Sequence, residues 1–370
     1  MLKRLRTLTR SLVAALNIAA IVLMLFAGFS GYISPERMPL AVPMGLAFPV
    51  LVVINALFIV LWIVISPRRV VIPLLGFIVA YIPVRTYCPL NIRKAAPEGA
   101  LKVLSYNVQN LDKKLYPLDD DGFFPALSYV KQQDADIVCL QECTLRGHVI
   151  NGMSQLYQYI DSVHPDDKAA SVTLMSKYPI LKKERIYYPS KGNSCAAFFL
   201  SVDGDTVVVI NGHLETNGFT LDERDEFGIM VSEAKSKIKE HNRPEMTDTM
   251  RTTTRILLAK IEEAAAKRAP QARAIARYID SIRHLPVIVC GDFNDNPLSY
   301  AHRTVAHHMT DCYIESGNGP GWSYNKNSMR VRIDNILCSK HYKPYQCAVD
   351  KSVTASDHYP MVCYLVRTDD

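Results

Sequence analysis

The chain has 370 residues, more than one soluble domain usually needs, and its formal net charge is +6 at pH 7. Residues 1 to 90 hold eight Lys and Arg and one acid, Glu36, so the remaining 280 residues, with 34 bases and 35 acids, are close to neutral. This balance disfavours a nucleic-acid binder that neutralises phosphates with an excess of Lys and Arg.

Two uncharged stretches near the N-terminus are long enough to cross a bilayer, whose ~30 Å core needs about 20 helical residues. They run from Ser11 to Pro35 and from Met38 to Pro67. A third stretch, 70–84, has 15 uncharged residues and two prolines, and it reaches Leu90 only if the Arg85 side chain extends to the interface. We therefore expect residues 1–90 to be a membrane anchor with two to three transmembrane helices. A signal peptide is the alternative for the first stretch only.

The basic residues of this region predict its orientation. Lys3, Arg4, Arg6 and Arg10 precede the first stretch, and Arg68 and Arg69 follow the second. The positive-inside rule places both groups in the cytoplasm. Three spans would then put the rest of the chain on the extracytoplasmic side, whereas two would leave it in the cytoplasm.

Residues 91–100 are predicted to be a linker, because they are polar and contain Pro97 and Gly99. Short apolar runs of strand length then alternate with helical patterns, which indicates an α/β domain over 101–370. Strands are predicted over 101–108, 136–142, 171–176, 196–202, 206–212, 286–291, 333–338 and 360–366. Helices are predicted over 122–133, 249–268, 270–283 and 298–306.

The segment 217–285 is an unusually long connection between two predicted strands. Its first half mixes acids and bases, and its second half is rich in Ala, Lys, Glu and Leu, which favour helix. We interpret it as a solvated helical excursion; a lid or a membrane-facing cap over the functional site is the alternative.

Several predicted strands end in polar residues of the same kind. The run 287–290 leads into Gly291, Asp292 and Asn294, whose spacing places the carboxylate and the amide on one side of the chain. The other strand ends carry Asn107, Glu142, Asn211 with His213, and the pair Asp357 and His358, while Asp334 begins a strand. A single Asn or Asp at a strand end is usually a turn former, but so many together indicate a site for phosphoryl transfer.

These strand ends carry a resemblance. Ser105-Tyr-Asn-Val108, Leu140-Gln-Glu142, Asn211-Gly-His-Leu214, Gly291-Asp-Phe-Asn294, Arg332-Ile-Asp334 and Ser356-Asp-His358 resemble, in order and rough spacing, the motifs of the endonuclease/exonuclease/phosphatase superfamily. The resemblance spans about 101–367, and the N-terminal region resembles that of membrane-attached bacterial members. It implies a four-layered α/β sandwich, two packed β-sheets flanked by helices, preceded here by the transmembrane helices.

The resemblance also implies hydrolysis of a phosphoester with Mg²⁺ or Mn²⁺, and a role for each site residue. Glu142 would be the main metal ligand, with Asn107 beside it and Asp357 as a further ligand. Asp292 would activate the attacking water, and Asn294 would hold a phosphate oxygen. His358, oriented by Asp334, and His213 would contact the phosphate from opposite sides. Trp322 would line the substrate cleft.

Three functions remain open at this point. The first is a membrane-anchored, metal-dependent phosphoesterase that hydrolyses a phosphodiester or phosphomonoester, for example of lipid head groups or small phosphorylated molecules. The second is a Mg²⁺-dependent extracytoplasmic endonuclease or exonuclease acting on DNA or RNA. The third is a catalytically silent binding protein. The expected location is the bacterial inner (cytoplasmic) membrane, with several passes and an extracytoplasmic catalytic domain, and no protein partner is indicated.

Overall fold

The computed structural model describes residues 2–120, 122–144, 147–164, 171–190, 192–239, 247–326 and 329–368. Its helices are α1 (Leu2–Gly28), α2 (Ala41–Leu46), α3 (Phe48–Ile65), α4 (Val71–Val79), α5 (Tyr81–Tyr87), α6 (Pro125–Gln133), α7 (Gly147–Met153), α8 (Leu221–Lys239), α9 (Asp248–Ser281), α10 (Tyr300–Val305) and α11 (Cys312–Ser316). Its strands are β1 (Leu101–Asn107), β2 (Ile137–Gln141), β3 (Tyr159–Val163), β4 (Val172–Ser176), β5 (Ile180–Arg185), β6 (Cys195–Val202), β7 (Asp205–His213), β8 (Val287–Asp292), β9 (Thr310–Asp311), β10 (Asp334–Cys338), β11 (Tyr342–Val349) and β12 (Met361–Arg367).

The strands form two six-stranded sheets, in the orders β11-β12-β1-β2-β4-β3 and β5-β6-β7-β8-β10-β9. Apolar side chains from both sheets, among them Val103, Phe198 and Ile288, form one buried cluster between them. The outer face of the first sheet packs against α6 and α7, and that of the second packs against α9 and α10. The predicted four-layered α/β sandwich is confirmed.

Four strands were not predicted, namely β3, β5, β9 and β11, and each lies at an edge of its sheet. One predicted helix boundary is wrong. The sequence predicts a break at Pro270, but α9 continues through this proline to Ser281. Pro270 removes one backbone hydrogen bond, whereas Ala269, Ala272 and Ile275 around it are fully buried. Packing of this helix against the sheet therefore outweighs the local cost.

The N-terminal helices include two that are long and apolar enough to cross a membrane, Arg4–Gly28 and Phe48–Ile65. A third span is possible by length and composition if Pro67–Val79 and Tyr81–Tyr87, which meet at an angle of 64°, count as one. Arg69 donates a hydrogen bond to the carbonyl of Arg10 at one end of α1. At the other end, Gly28 packs against Pro83. The bent pair therefore extends along the bundle as far as residues 10–28 of α1 do, which is about 27 Å at a rise of 1.5 Å per residue.

The end of this bundle near Gly28 is docked on the α/β domain. Gly31 lies so close to the chain at Leu298 that a Cβ atom there would fall 2.2 Å from the Leu298 carbonyl oxygen. Buried Arg332 donates to the carbonyl of Thr86 in α5. Asn91, in the predicted linker, donates its side-chain amide to carbonyls of the domain. The N-terminal helices and the α/β domain thus share a closely packed interface that has both polar and apolar contacts.

Candidate active site

The sheet topology aligns the predicted site residues along one edge. β1 and β2 are parallel neighbours, as are β7 and β8, so both pairs end at the same side of the sandwich. In the second sheet, His213 pairs with Asp292, and Asp292 pairs with Asp334 across the next strand. His213, Asp292 and Asp334 therefore lie side by side on three adjacent strands of the second sheet.

The backbone at this edge is held in conformations that few residues adopt. Gly291 has φ 153° and lies against the Gly212 backbone, where a Cβ atom would be 2.0 Å from the carbonyl oxygen. Glu142 and Asn294 both have φ 51°, in the left-handed region that non-glycine residues seldom occupy. Such strain concentrates at functional sites, because the surrounding structure must be built to hold it.

Asp292 lies at the centre of the site and is 1% exposed. Its carboxylate accepts hydrogen bonds from the Asn107 amide at 3.0 Å and from the Asn294 backbone N–H at 2.8 Å. Nε2 atoms of His213 and His358 each lie 3.7 Å from its Oδ2 atom. Burial raises the pKa of Asp292 to about 6, with the two histidines acting in the opposite direction. A carboxylate with a pKa near neutrality is suited to accept a proton during turnover.

His358 is held by Asp334 through a 2.8 Å contact between Nδ1 and Oδ2. Burial alone would lower the pKa of His358, but the carboxylates of Asp334 and Asp292 raise it to about 10. The ring therefore carries a positive charge at neutral pH, with its Nε2 side facing Asp292. Tyr324 packs edge-on against this ring, at 5.2 Å between centroids, and limits its rotation.

Glu142 is the carboxylate at the open side of the site, with 24% of its side chain exposed. Asn107 donates to its Oε1 atom at 3.2 Å, and Asn110 donates to its Oε2 atom at 3.1 Å. Nε2 of His213 lies 3.7 Å from the same Oε1 atom. The Asn107 amide thus bridges Glu142 and Asp292, and its NH₂ group occupies the electronegative space between the two carboxylates.

The residues present fit a divalent cation. The carboxylates of Glu142, Asp292 and Asp334 supply the oxygen donors that Mg²⁺ and Mn²⁺ prefer. Oδ1 of Asp334 is buried and accepts no hydrogen bond from any residue in the described part of the chain. Asn107 would ligate a cation through its oxygen after its amide turns, since that oxygen now accepts from the Gln109 N–H.

Within the described ranges, only Asp292, Asp334 and His358 form a group of three or more ligand-type side chains whose atoms lie within 4.8 Å of one another. This group differs from the predicted ligand set of Glu142, Asn107 and Asp357. We favour the open side at Glu142 for the cation, because a hydrated ion needs access to solvent. The ligand assignment stays a prediction.

The remaining predicted residues lie around this centre. Asn294 lies two residues after Asp292 and donates its side-chain amide to the Leu214 carbonyl at 3.0 Å. Asp357 is buried beside His358, and its carbonyl accepts from Asn325. Trp322 is half-buried, with the cations of Arg330 and Lys351 5.5 and 5.4 Å from its ring. Among the described residues, the cation contacts of the Trp322 ring are with Arg330 and Lys351 and not with groups of the catalytic centre.

Two residues with direct contacts in the site were missed by the sequence reasoning. Asn110 binds Glu142, and its only signal was its position in an Asn-rich turn three residues after Asn107. Tyr324 contacts His358, and the aromatic pattern that pointed to Trp322 would also have included it. Buried Gln141 and Asn211, both inside predicted motifs, hydrogen bond to each other at 2.8 Å and join the two sheets beneath the site.

Comparisons with known proteins agree with this fold. A family model described as the Endonuclease/Exonuclease/phosphatase family matches residues 104–358, and one described as a domain of unknown function (DUF8431) matches residues 10–87. No curated protein sequence matches the chain.

Several solved structures are similar to the chain at low sequence identity. An endonuclease/exonuclease/phosphatase family protein from Bacteroides thetaiotaomicron is 19% identical over 74% of this chain and 100% of that chain, with a TM-score of 0.49. A mannosyl-6-phosphatase from the same organism is 21% identical over 72% and 100%, with a TM-score of 0.46. The human Nocturnin catalytic domain is 15% identical over 75% and 96%, with a TM-score of 0.49. Because the first family model covers well over half of its residues, the chain belongs to the endonuclease/exonuclease/phosphatase family.

Proposed function

We propose that this protein is a membrane-anchored phosphoesterase that uses a divalent cation, Mg²⁺ or Mn²⁺, to hydrolyse a phosphodiester or phosphomonoester. The observation that carries the proposal is the position of buried Asp292 between two histidines, beside the Asn107 amide and in register with Asp334. A non-catalytic scaffold has no physical need to bury a carboxylate of raised pKa among so many matched polar groups.

In the proposed reaction, Asp292 orients a water molecule and takes its proton as the water oxygen bonds to phosphorus. The ester P–O bond breaks, the leaving oxygen takes a proton from solvent, and Asp292 returns its proton to solvent after product release. His358 and His213 stabilise the charge on the phosphate oxygens, and Asn294 holds one of them. Asp334 keeps the His358 ring charged and oriented. A cation bound at Glu142 would supply further charge stabilisation.

We further propose that the N-terminal helices cross the membrane three times and place the catalytic domain outside the cytoplasm. Two contacts support this topology. Arg69 and Arg10 meet at one end of the bundle, while Pro83 and Gly28 meet at the end that docks on the domain. By the positive-inside rule the basic end is cytoplasmic, so the docked end faces the other side.

The test is hydrolysis by the full-length protein in detergent, with Mg²⁺ and with Asp292→Ala as the inactive control. DNA, phospholipid vesicles and inositol phosphates are offered side by side. Release of product from any of them by the wild type, and its loss in the variant, is the expected result. DNA cleavage alone would establish the nuclease alternative. Equal release by wild type and variant would contradict the assignment of Asp292.

A further inference from the structure

An apolar cavity of about 330 Å³ lies directly beside Asn294, between the loop that follows β8 and the helices α8 and α9. Its volume is within the range of ligand pockets, about 300–1,000 Å³. One residue, Asn294, therefore lines the cavity and is also proposed to hold a phosphate oxygen.

Helices α8 and α9 supply the apolar wall. Thr254, Leu258 and Ile261 follow one another at helical spacing on α9, and Phe227 faces the same cavity from α8. Leu258 remains 37% exposed, although burying a leucine contributes about 1.5–3 kcal/mol. This wall gains stability when an apolar group covers it.

The cavity lining also contains a buried ion pair whose charges cancel. Arg268 and Asp295 are both buried and lie 3.2 Å apart, and Arg268 also donates to the Glu215 carbonyl and to the Asn217 side chain. Their charges are thus satisfied within the protein. Arg330, in contrast, is exposed and lines the same cavity. An apolar cavity with one exposed cation complements an anion that carries an uncharged apolar tail.

The membrane anchor reaches this cavity. Leu46, at the end of α2, contributes to its lining, and α2 lies in the segment that connects the two candidate spans α1 and α3. The cavity is therefore bordered by the catalytic loop, by α8 and α9, and by the anchor. A ligand that leaves a bilayer surface would meet it without crossing bulk water.

We propose that this cavity binds an alkyl chain of a membrane lipid phosphoester whose phosphate lies at Asp292 and Asn294. The inference rests on the proposed function and specifies its substrate class: an amphipathic phosphoester, held by its chain as well as by its phosphate. Residues of α8 and α9 then form part of the substrate site.

The first test compares two phosphodiesters that differ only in their chain, p-nitrophenyl methyl phosphate and p-nitrophenyl dodecyl phosphate below its micellar concentration. We expect the full-length protein to hydrolyse the dodecyl ester with a kcat/KM about 10-fold higher or more, because each buried methylene adds affinity. Leu258→Trp, which fills the cavity, should bring the ratio toward one. The matched control Ile229→Trp, an exposed position on α8 outside the cavity lining, should leave both rates unchanged.

The second test does not depend on turnover. A dodecyl phosphate with a diazirine at the end of its chain is photo-crosslinked to the protein in nanodiscs, and the labelled peptides are mapped. Label on the segment 254–261 or on Phe227 that disappears in Leu258→Trp and persists in Ile229→Trp supports the inference. It would stand even if neither ester is hydrolysed, and the proposed function fails alone if DNA, phospholipid vesicles and inositol phosphates are not hydrolysed either. Equal hydrolysis of both esters with no label in the cavity would overturn the inference and leave the function intact.

Discussion

Nδ1 of His358 and Oδ2 of Asp334 lie 2.8 Å apart in the buried part of the site. Because the carboxylate helps to raise the pKa of His358, Asp334→Asn should lower that pKa. The imidazolium would then lose its proton at a lower pH, and the alkaline limb of the kcat/KM profile should shift toward neutrality. Turnover at neutral pH should also fall, by about 10²-fold or more. A pH profile with an unchanged alkaline limb would contradict the role of Asp334.

Asp292 is expected to lower the free energy of unfolding while it supports catalysis. Its raised pKa means that the ionised form destabilises the fold. This destabilisation is absent below about pH 3.9, the pKa of an Asp in the unfolded chain. It grows as the pH rises toward 6 and is complete above about pH 6. Asp292→Asn should therefore raise the free energy of unfolding by about 1–2 kcal/mol at pH 7 while turnover falls by about 10²–10⁴-fold. Thermal unfolding and hydrolysis measured on the same preparation would check both effects. A variant that is both active and less stable would refute them.

Glu142 is expected to set the metal requirement. Glu142→Gln keeps the shape of the side chain but removes its charge, so the Mg²⁺ concentration for half-maximal activity should rise about 10-fold or more. Glu184→Gln is a suitable control, because Glu184 binds Tyr278 and Lys182 at the edge of the second sheet. If Glu142→Gln and Glu184→Gln need the same Mg²⁺ concentration for half-maximal activity, another residue holds the cation.

A buried cluster of Asp311, Arg332 and His302, outside the reacting centre, should govern acid stability. Asp311 contacts Arg332 at 3.0 Å and His302 at 2.8 Å. Burial would raise the pKa of Asp311, but Arg332 and His302 hold it well below its usual range. Its stabilising contribution is complete above the unfolded pKa near 3.9 and is lost as the pH falls below that value.

Asp311→Asn should lower the free energy of unfolding by about 3–5 kcal/mol at pH 7, because Arg332 is left buried without its partner. The dependence of unfolding on pH below 4 should become shallower in the variant. Denaturant titrations of the full-length protein at several pH values would measure both. A destabilisation below about 1 kcal/mol would show that Arg332 finds another partner.

The central strands could be predicted from the sequence, and the edge strands could not. β2 and β8 are buried over their whole length and begin as continuous apolar runs, IVCL and VIVC. β5 instead reads Ile-Leu-Lys-Lys-Glu-Arg, and β11 contains a proline and an irregular register. Edge strands carry charges and prolines that prevent pairing with other chains, and these residues conceal the strand pattern.

The residues of the site also divide into those that could be predicted from the sequence and those that could not. Residues that end central strands, such as Asn107, His213 and Asp292, were recognisable because parallel strands bring their ends to one edge. Asn110, which a turn supplies, was not, because no periodicity positions it. Asn110 reaches Glu142 only through a left-handed turn with φ 55°. The cavity beside Asn294 could not be predicted from the sequence either, because it depends on how α8 and α9 pack against the domain.

The docking of the N-terminal helices has a consequence for work with a shortened protein. A chain that began at residue 92 would lose the Thr86 carbonyl that Arg332 binds, the Gly31 contact behind Leu298, and Leu46 from the cavity. Arg332 lies two residues before Asp334, and Leu298 lies four residues after Asn294. Truncation to a soluble fragment is therefore expected to alter kinetic constants and chain-length preference, even where the sandwich itself still folds.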